Sequence, residues 1–209
     1  MAKDHPLLFT GDMVIRILTC AKCGKISVEF PCCHCGSEEF CKTQTRRVPV
    51  ERYRNWKVGE LIYVRENWWA VEVTDIGIQY CVFDDKIIDG IPTPKELRLL
   101  DRQDWKWGRH PNIHMPKKAA RIWLKITGLR EERVQEISLE DVIKEGIKDN
   151  VKCVYRDNVS KCDHHETVNK FISLWDSINA KRHKGTYAWA KNPITKVIES
   201  KRLRECPCK

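Results

Sequence analysis

Two hydrophobic rhythms alternate along this chain. Leu7-Leu8-Phe9 is a compact apolar run that predicts a short strand, and Asp12 to Leu18 predicts a short helix with Gly11-Asp12 at its start. Lys25 to Phe30 alternates polar and apolar residues, which predicts a strand. Val58 to Glu66 places a turn at Gly59 and then a strand, and Ile76 to Phe83 predicts another, ended by Asp84-Asp85. Ala120 to Thr127 alternates cleanly, with Ile122, Leu124 and Ile126 on one face and Arg121, Trp123 and Lys125 on the other. Ser138-Leu-Glu-Asp141 reads as a capping box ahead of a helix ending near Gly146. Val168, Phe171, Ile172, Trp175 and Ile178 fall at helical spacing, and Pro193 to Leu203 predicts a last strand. Residues 89–116 are rich in turn formers and tryptophan, and 147–164 are polar and irregular, as a loop or insertion would be. About five or six strands with about three short helices and no βαβ rhythm predict an α+β fold, a small mixed barrel and not a doubly wound sheet.

Composition narrows the class. With 42% hydrophobic and 32% charged residues, the chain of 209 residues has material for a core and a well solvated surface, which argues against global disorder. The net charge of +9 favours a polyanionic partner such as nucleic acid. No stretch approaches the ~18 apolar residues of a membrane span, and no apolar segment of signal-peptide type stands near Met1, so a cytoplasmic location and no membrane partner are expected.

Cysteine spacing adds chemistry. Cys20-Ala-Lys-Cys23-Gly24 and Cys32-Cys-His-Cys35-Gly36 are two C-x-x-C-G units. Two residues between thiolates let both sulfurs face one ion, and two such units complete a tetrahedral site for a structural Zn2+ held by Cys20, Cys23, Cys32 and Cys35. The glycine after each pair permits the positive-φ turn that aims backbone N–H groups at the sulfurs. Cys33 and Cys41 compete for the site, but Cys32 preserves the symmetry of the two units. Metal is expected to supply most of the folding free energy of so small a module. Cys153, Cys162, His164, His165, Cys206 and Cys208 form a less diagnostic set that leaves a second metal site open.

Cations and aromatic residues interleave twice. Lys42, Arg46, Arg47, Arg52, Arg54, Lys57 and Arg65 run with Trp56, Trp68 and Trp69; Arg102, Lys106, Arg109, Lys117, Lys118, Arg121 and Lys125 run with Trp105, Trp107 and Trp123. Cations for phosphates beside rings for bases is the pattern of single-strand binders; the bland alternative is a solvated face with core tryptophans. His110 and His114 lack a third ligand of matching spacing, so a structural or pocket-lining role is expected.

Taken in order, Leu7–Val14, Lys42–Arg47, Val58–Trp68, Ile113–Pro116, Ala120–Ile126, Leu139–Gly146 and Leu174–Asn179 resemble the ASCH domain, a PUA-like β-barrel family, and especially its phage-encoded members. The pieces span most of the chain. The resemblance implies an ASCH/PUA-like domain over residues 1–205, with a zinc ribbon over 19–41 inserted where the family usually has a short glycine-containing turn. It implies binding of RNA or a nucleotide in a cleft on the barrel, flanked here by Lys42, Thr45, Arg46, Arg47, Arg65, Glu66, Trp68 and His114, with the ribbon beside it. Some compact bacterial members are amidohydrolases that deacetylate 4-acetylcytidine, and their catalytic Lys, Thr and Glu correspond by motif position to Lys42, Thr45 and Glu145. A partly buried lysine of lowered pKa can deprotonate a threonine hydroxyl, and a glutamate can position or protonate the exocyclic nitrogen. On an ideal strand Lys42 and Thr45 face opposite sides, so a turn or bulge must bring them together. The alternative is that Lys42, Arg46 and Arg47 hold phosphate, Thr45 caps a turn and Glu145 faces solvent. A third function class is a phage–host interaction module, in which the ribbon docks a host protein.

Overall fold

A computed structural model of the chain describes residues 3–27, 31–73, 78–83, 98–99, 106–148 and 165–203. The fold is mixed α+β. A five-stranded sheet has the order β1-β3-β8-β9-β2, with β1 Asp4–Leu8, β2 Gln44–Arg47, β3 Leu61–Arg65, β8 Trp123–Arg133 and β9 Ile194–Arg202. A four-stranded sheet has the order β6-β5-β4-β7, with β4 Trp68–Val73, β5 Ile78–Phe83, β6 Arg98–Leu99 and β7 Gly108–His110. The helices are α1 Gly11–Leu18, α2 Leu139–Lys144 and α3 His165–Asn179. The strands are more numerous than the sequence predicts, because the tryptophan-rich stretch contributes short strands to a second sheet. Among the described residues the larger sheet does not close into a barrel: β1 and β2 are its outer strands. Their ends approach one another instead through side chains, with the Arg47 guanidinium 4.7 Å from the Phe9 ring centroid.

The main core lies on one face of the five-stranded sheet. Leu7, Ile62, Val64, Leu124, Ile126 and Ile198 point to it from β1, β3, β8 and β9, and Met13, Val14, Ile17 and Leu18 cover it from one stripe of α1. Fully burying each such side chain stabilises by about 1.5–3 kcal/mol. The alternation of Ile122, Leu124 and Ile126 thus holds, but the opposite face is not solvent at Trp123. That ring is buried in a second cluster with Tyr63, Trp68, Phe83 and Met115. The middle of the cysteine module differs too: Ile26 makes a single bridge to Thr19, and no strand is found over 25–27.

A third cluster packs α3 onto the β2 end of the sheet through Phe171 and Trp175, against Val48, Val134, Val142 and Ile147. The cap of α2 forms as expected, with Asp141 N donating to Ser138 Oγ at 3.1 Å. Gly146 follows with φ +87°, and a Cβ there would stand 3.0 Å from two carbons of Arg16 and 3.2 Å from Lys42 Cβ. Only glycine fits both that backbone conformation and that approach. Among the described residues no helix is long and apolar enough to cross a membrane.

Candidate functional site

Two constellations emerge, one of sulfur and one of charge. In the first, the sulfurs of Cys20, Cys23, Cys32 and Cys35 lie within 4.8 Å of one another, close enough to hold a metal ion. The two C-x-x-C-G units fold alike. Gly24 N donates to Cys20 O at 2.9 Å and Gly36 N to Cys32 O at 2.7 Å, with φ of +70° and +68° at the two glycines. Cys20 N donates to Lys25 O and Cys32 N to Ser37 O, each at 2.9 Å. The Cys23 N–H directed at the Cys20 sulfur, against the effect of burial, brings that thiol down to about 6. The Ser37 N–H favours a thiolate at Cys35, but burial and three neighbouring sulfurs outweigh it and push that thiol up to about 12. Four thiolates repel one another; a bound cation removes that conflict. Cys33 is exposed and receives a hydrogen bond from Ser27 Oγ, and Cys41 stands outside the cluster, so Cys32 is the fourth member. Cys153, Cys162, His164, Cys206 and Cys208, and the side chain of His165, lie outside the described residues.

The module is fixed to the sheet at β9. Arg202 donates to Ser27 O at 3.0 Å and stacks 4.7 Å from the Phe40 ring centroid, while Phe40 packs on Cys20 and Cys32. Burial lowers the Arg202 guanidinium to about 10. Lys201 Nζ of β9 also meets Glu38 Oε2 at 3.4 Å, and Cys41 N donates to Thr19 O at 2.9 Å, closing the module before the chain enters Lys42.

Lys42 begins the second constellation. It is only 6% exposed, and its Nζ donates to Glu145 Oε2 at 2.7 Å, Glu145 O at 3.0 Å and Gln44 O at 2.8 Å. These three acceptors take all three ammonium protons. Burial nonetheless pulls the ammonium below its ordinary value, with Glu145 opposing. A backbone bridge between Lys42 and Glu145, and Thr43 N donating to Lys144 O at 3.0 Å, hold β2 against the end of α2. Glu145 is buried, so it does not face solvent, and Thr45 is a buried strand residue opposite Ile198, not a turn cap. Among the described residues no hydrogen bond joins Lys42 to Thr45.

Arg46 is the centre of a network the sequence did not reveal. It meets Glu132 through Nε at 3.1 Å and also through Nη2, Asp141 Oδ2 at 2.9 Å and Glu145 Oε1 at 3.4 Å. Arg130 joins the same carboxylates, with Nε to Glu132 Oε2 at 2.9 Å and Nη2 to Asp141 Oδ2 at 2.7 Å. Burial alone would raise the Asp141 carboxyl; Arg46 and Arg130 outweigh it and hold the group below its ordinary value.

Thr45, Arg46, Arg47 and Glu145 line the inner end of a cleft, about 40 Å³, closed on the far side by Phe171, Trp175, Asn179 and Arg182. It shares Met13, Arg47, Val48, Ile178 and Arg182 with an outer part of about 390 Å³, where His5, Phe9, Arg52, Tyr53 and Trp56 form the walls. His5 stacks on Trp56 at 4.3 Å between centroids, and Tyr53 meets Trp56 edge-on at 5.0 Å. The sequence pointed to Trp56 only as one of many tryptophans, and gave no signal for His5, Phe9, Tyr53 or Arg182.

The cleft excludes several residues expected in it. Glu66 is held by Arg121 in a bidentate pair, Nε to Oε1 at 2.9 Å and Nη2 to Oε2 at 2.7 Å, and lies with the second sheet. Trp68 is a fully buried core ring stacked on His110 at 4.6 Å. Arg65 donates to Ile113 O at 3.0 Å, and His114 is exposed on the turn beyond it. The reason is the direction of these side chains: Glu66 turns to Arg121, and Trp68 to Tyr63, Phe83 and Met115 in the second cluster, although Arg65 itself pairs with Leu8 beside the cleft. The cysteine module is likewise not a wall of the cleft. Among the described residues none of 20–41 lines it; the module stands at the Lys42 end of β2, and the cleft is at the Arg47 end. No family model matches the chain, and no curated protein and no solved structure matches it.

Proposed function

We propose that this protein binds a nucleotide or a segment of single-stranded RNA in the cleft between β2 and α3. The observation that carries this is the lining. Arginines 47, 52 and 182 line it with Phe9, Tyr53 and Trp56, and among the described residues Glu145, already engaged by Lys42 and Arg46, is the one acidic residue in either part. Cations for phosphate beside Trp56, the one partly exposed ring of the three, suit that ligand, and a volume near 390 Å³ lies in the range of small-ligand sites. The buried Lys42–Glu145 pair, with Thr45 and Glu145 both lining the inner cleft, is what supports an ASCH, PUA-like assignment. The sulfur cluster supports zinc: bonds of about 2.3 Å give tetrahedral S–S edges of about 3.8 Å, and the Cys20–Cys35 and Cys23–Cys32 separations are 3.6 and 3.7 Å.

The test is equilibrium binding of a labelled single-stranded oligoribonucleotide over a salt series. Wild type should bind with a negative slope of log affinity on log salt, and Trp56→Ala and Arg182→Ala should each weaken binding several-fold. No binding at low salt would end this reading.

The buried Lys42–Glu145 pair beside Thr45 favours one second reading, hydrolysis of the acyl amide of a 4-acetylcytidine-type nucleoside. Lys42 is a fully engaged ammonium here, so it must first give up a proton, to Glu145 or to solvent, before its neutral amine can accept the Thr45 proton. Turnover of acylated nucleosides by wild type, lost in Lys42→Ala, is the expected result; a wild type inert across the panel removes this reading.

A further inference from the structure

Arg121 and Arg46 use the same edge of the guanidinium, and Arg47 presents it without a partner among the described residues. The Nε and Nη2 hydrogens of an arginine lie parallel, spaced to grip two oxygens of one carboxylate or phosphate. Arg121 gives this edge to both oxygens of Glu66. Arg46 gives it to Glu132. Arg47 has the same edge, and both its Nε and its Nη2 are buried with no hydrogen-bond partner. The residue as a whole keeps partial exposure, but these two nitrogens do not.

Such donors are costly to bury unpaired. Burial pulls the Arg47 guanidinium below its ordinary value, with Arg182 acting in the same direction and Tyr53 and Glu145 opposing. Its position is fixed from the other side by the Phe9 ring, 4.7 Å from the guanidinium carbon. Arg47 lines both parts of the cleft. The inner part, about 40 Å³, is little larger than one water, whose share of liquid volume is ~30 Å³. A ligand therefore reaches Arg47 from the outer part, where Arg52 and Arg182 add charge. Arg182 is held by neutral acceptors alone, Asn179 Oδ1 at 2.9 Å and Val48 O at 3.5 Å.

We infer that the Nε/Nη2 edge of Arg47 is an oxyanion site that grips a phosphate group of the ligand in bidentate fashion. This rests on the nucleotide reading of the cleft and sharpens it: the ligand is a phosphorylated species, not a neutral nucleoside. Phosphate fits better than a carboxylate because Arg47, Arg52 and Arg182 line the cleft beside the carboxylate-bound Arg46, and the Glu145 charge is already shared by Lys42 and Arg46.

The experiment is calorimetric titration of the full chain with the common ribonucleosides, their 5′-monophosphates and inorganic phosphate. Wild type should bind a monophosphate about tenfold or more tighter than its nucleoside, the order expected for a charge-assisted pair. Arg47→Lys, which keeps the charge but loses the fork, should remove most of that gain, read as the ratio of monophosphate to nucleoside affinity within the variant. Equal wild-type affinity for nucleoside and monophosphate overturns the inference but leaves the cleft reading standing, and that comparison needs no variant to fold. A phosphate gain undiminished in Arg47→Lys also overturns it. Binding of inorganic phosphate that depends on Arg47, with no contribution from any nucleoside, supports the oxyanion site and sinks the nucleotide reading. No binding of any probe overturns both.

Discussion

Lys42 Nζ stands 2.7 Å from Glu145 Oε2, in a pair whose side chains are 3% and 7% exposed. It is the joint between two halves of the molecule: the chain leaves the cysteine module at Cys41, enters this pair, and reaches the cleft at Thr45. A buried pair is weak support for stability, because desolvation offsets attraction, yet removing one partner strands the other. Lys42→Met should therefore destabilise the fold by on the order of 3–5 kcal/mol. Lys42→Met combined with Glu145→Gln should recover part of that loss. Urea unfolding of both variants measures it; a double variant no more stable than the single would contradict the pairing.

Gly146 is required by backbone and by space. Gly146→Ala forces an L side chain into φ +87° with its Cβ 3.0 Å from Arg16. A loss of about 1–3 kcal/mol is expected, together with loosening of the Arg16 Nη1 to Gly146 O bond of 2.8 Å. Thermal unfolding of Gly146→Ala beside Gly185→Ala, where the nearest atom to a Cβ is at 3.6 Å, separates strain from contact. The Gly146 variant should lose more.

Acid should weaken the Arg46 network. Asp141 has a folded pKa below its ordinary 3.8, so its contribution is fully present above that value. It is lost as pH falls through the depressed folded value. Denaturation midpoints from pH 6 down to about pH 2 should fall at the acid end in wild type and fall less in Asp141→Asn. A parallel fall in both proteins would mean that other groups set the acid limit.

Metal removal should act at the cysteine module first. A strong chelator in reducing buffer should release one metal per chain and expose Phe40, since Phe40 packs on Cys20 and Cys32. The Arg202–Phe40 contact at 4.7 Å should go with it. Cys23→Ser should lose the metal and Cys33→Ser should keep it, because Cys33 stands outside the cluster. Elemental analysis of the two variants decides this, and equal metal content in both would contradict the assignment.

Local pattern made much of this molecule legible. Helix α1, strand β3, the Ser138 cap and the two C-x-x-C-G turns depend on residues within a few positions of each other, and their sequence signals are correspondingly clear. The gathering of Lys42, Thr45 and Glu145 came from a resemblance, and the 103-residue separation of Lys42 from Glu145 shows why spacing could not supply it. Glu66 and Trp68 lie away from the cleft because their side chains turn to Arg121 and to the Phe83–Met115 cluster, a partnership of residues distant in sequence that periodicity does not carry. The open edge of Arg47 was hidden for a similar reason. Arg46 and Arg47 are adjacent and alike in sequence; they differ only in that Glu132, Asp141 and Glu145 converge on the first. Of the second sheet, β5 was legible as the predicted strand ending at Phe83, whereas β6 and β7, Arg98–Leu99 and Gly108–His110, are shorter than alternation can signal.

The cleft between β2 and α3 as the ligand site is the central claim, and hydrogen exchange with and without saturating single-stranded oligoribonucleotide tests it most directly. Slowed exchange is predicted at residues 45–56 and 174–182, which carry Thr45, Arg47, Tyr53, Trp56 and Arg182. Protection confined to 20–41 or to 68–73, with the cleft segments unchanged, would contradict it.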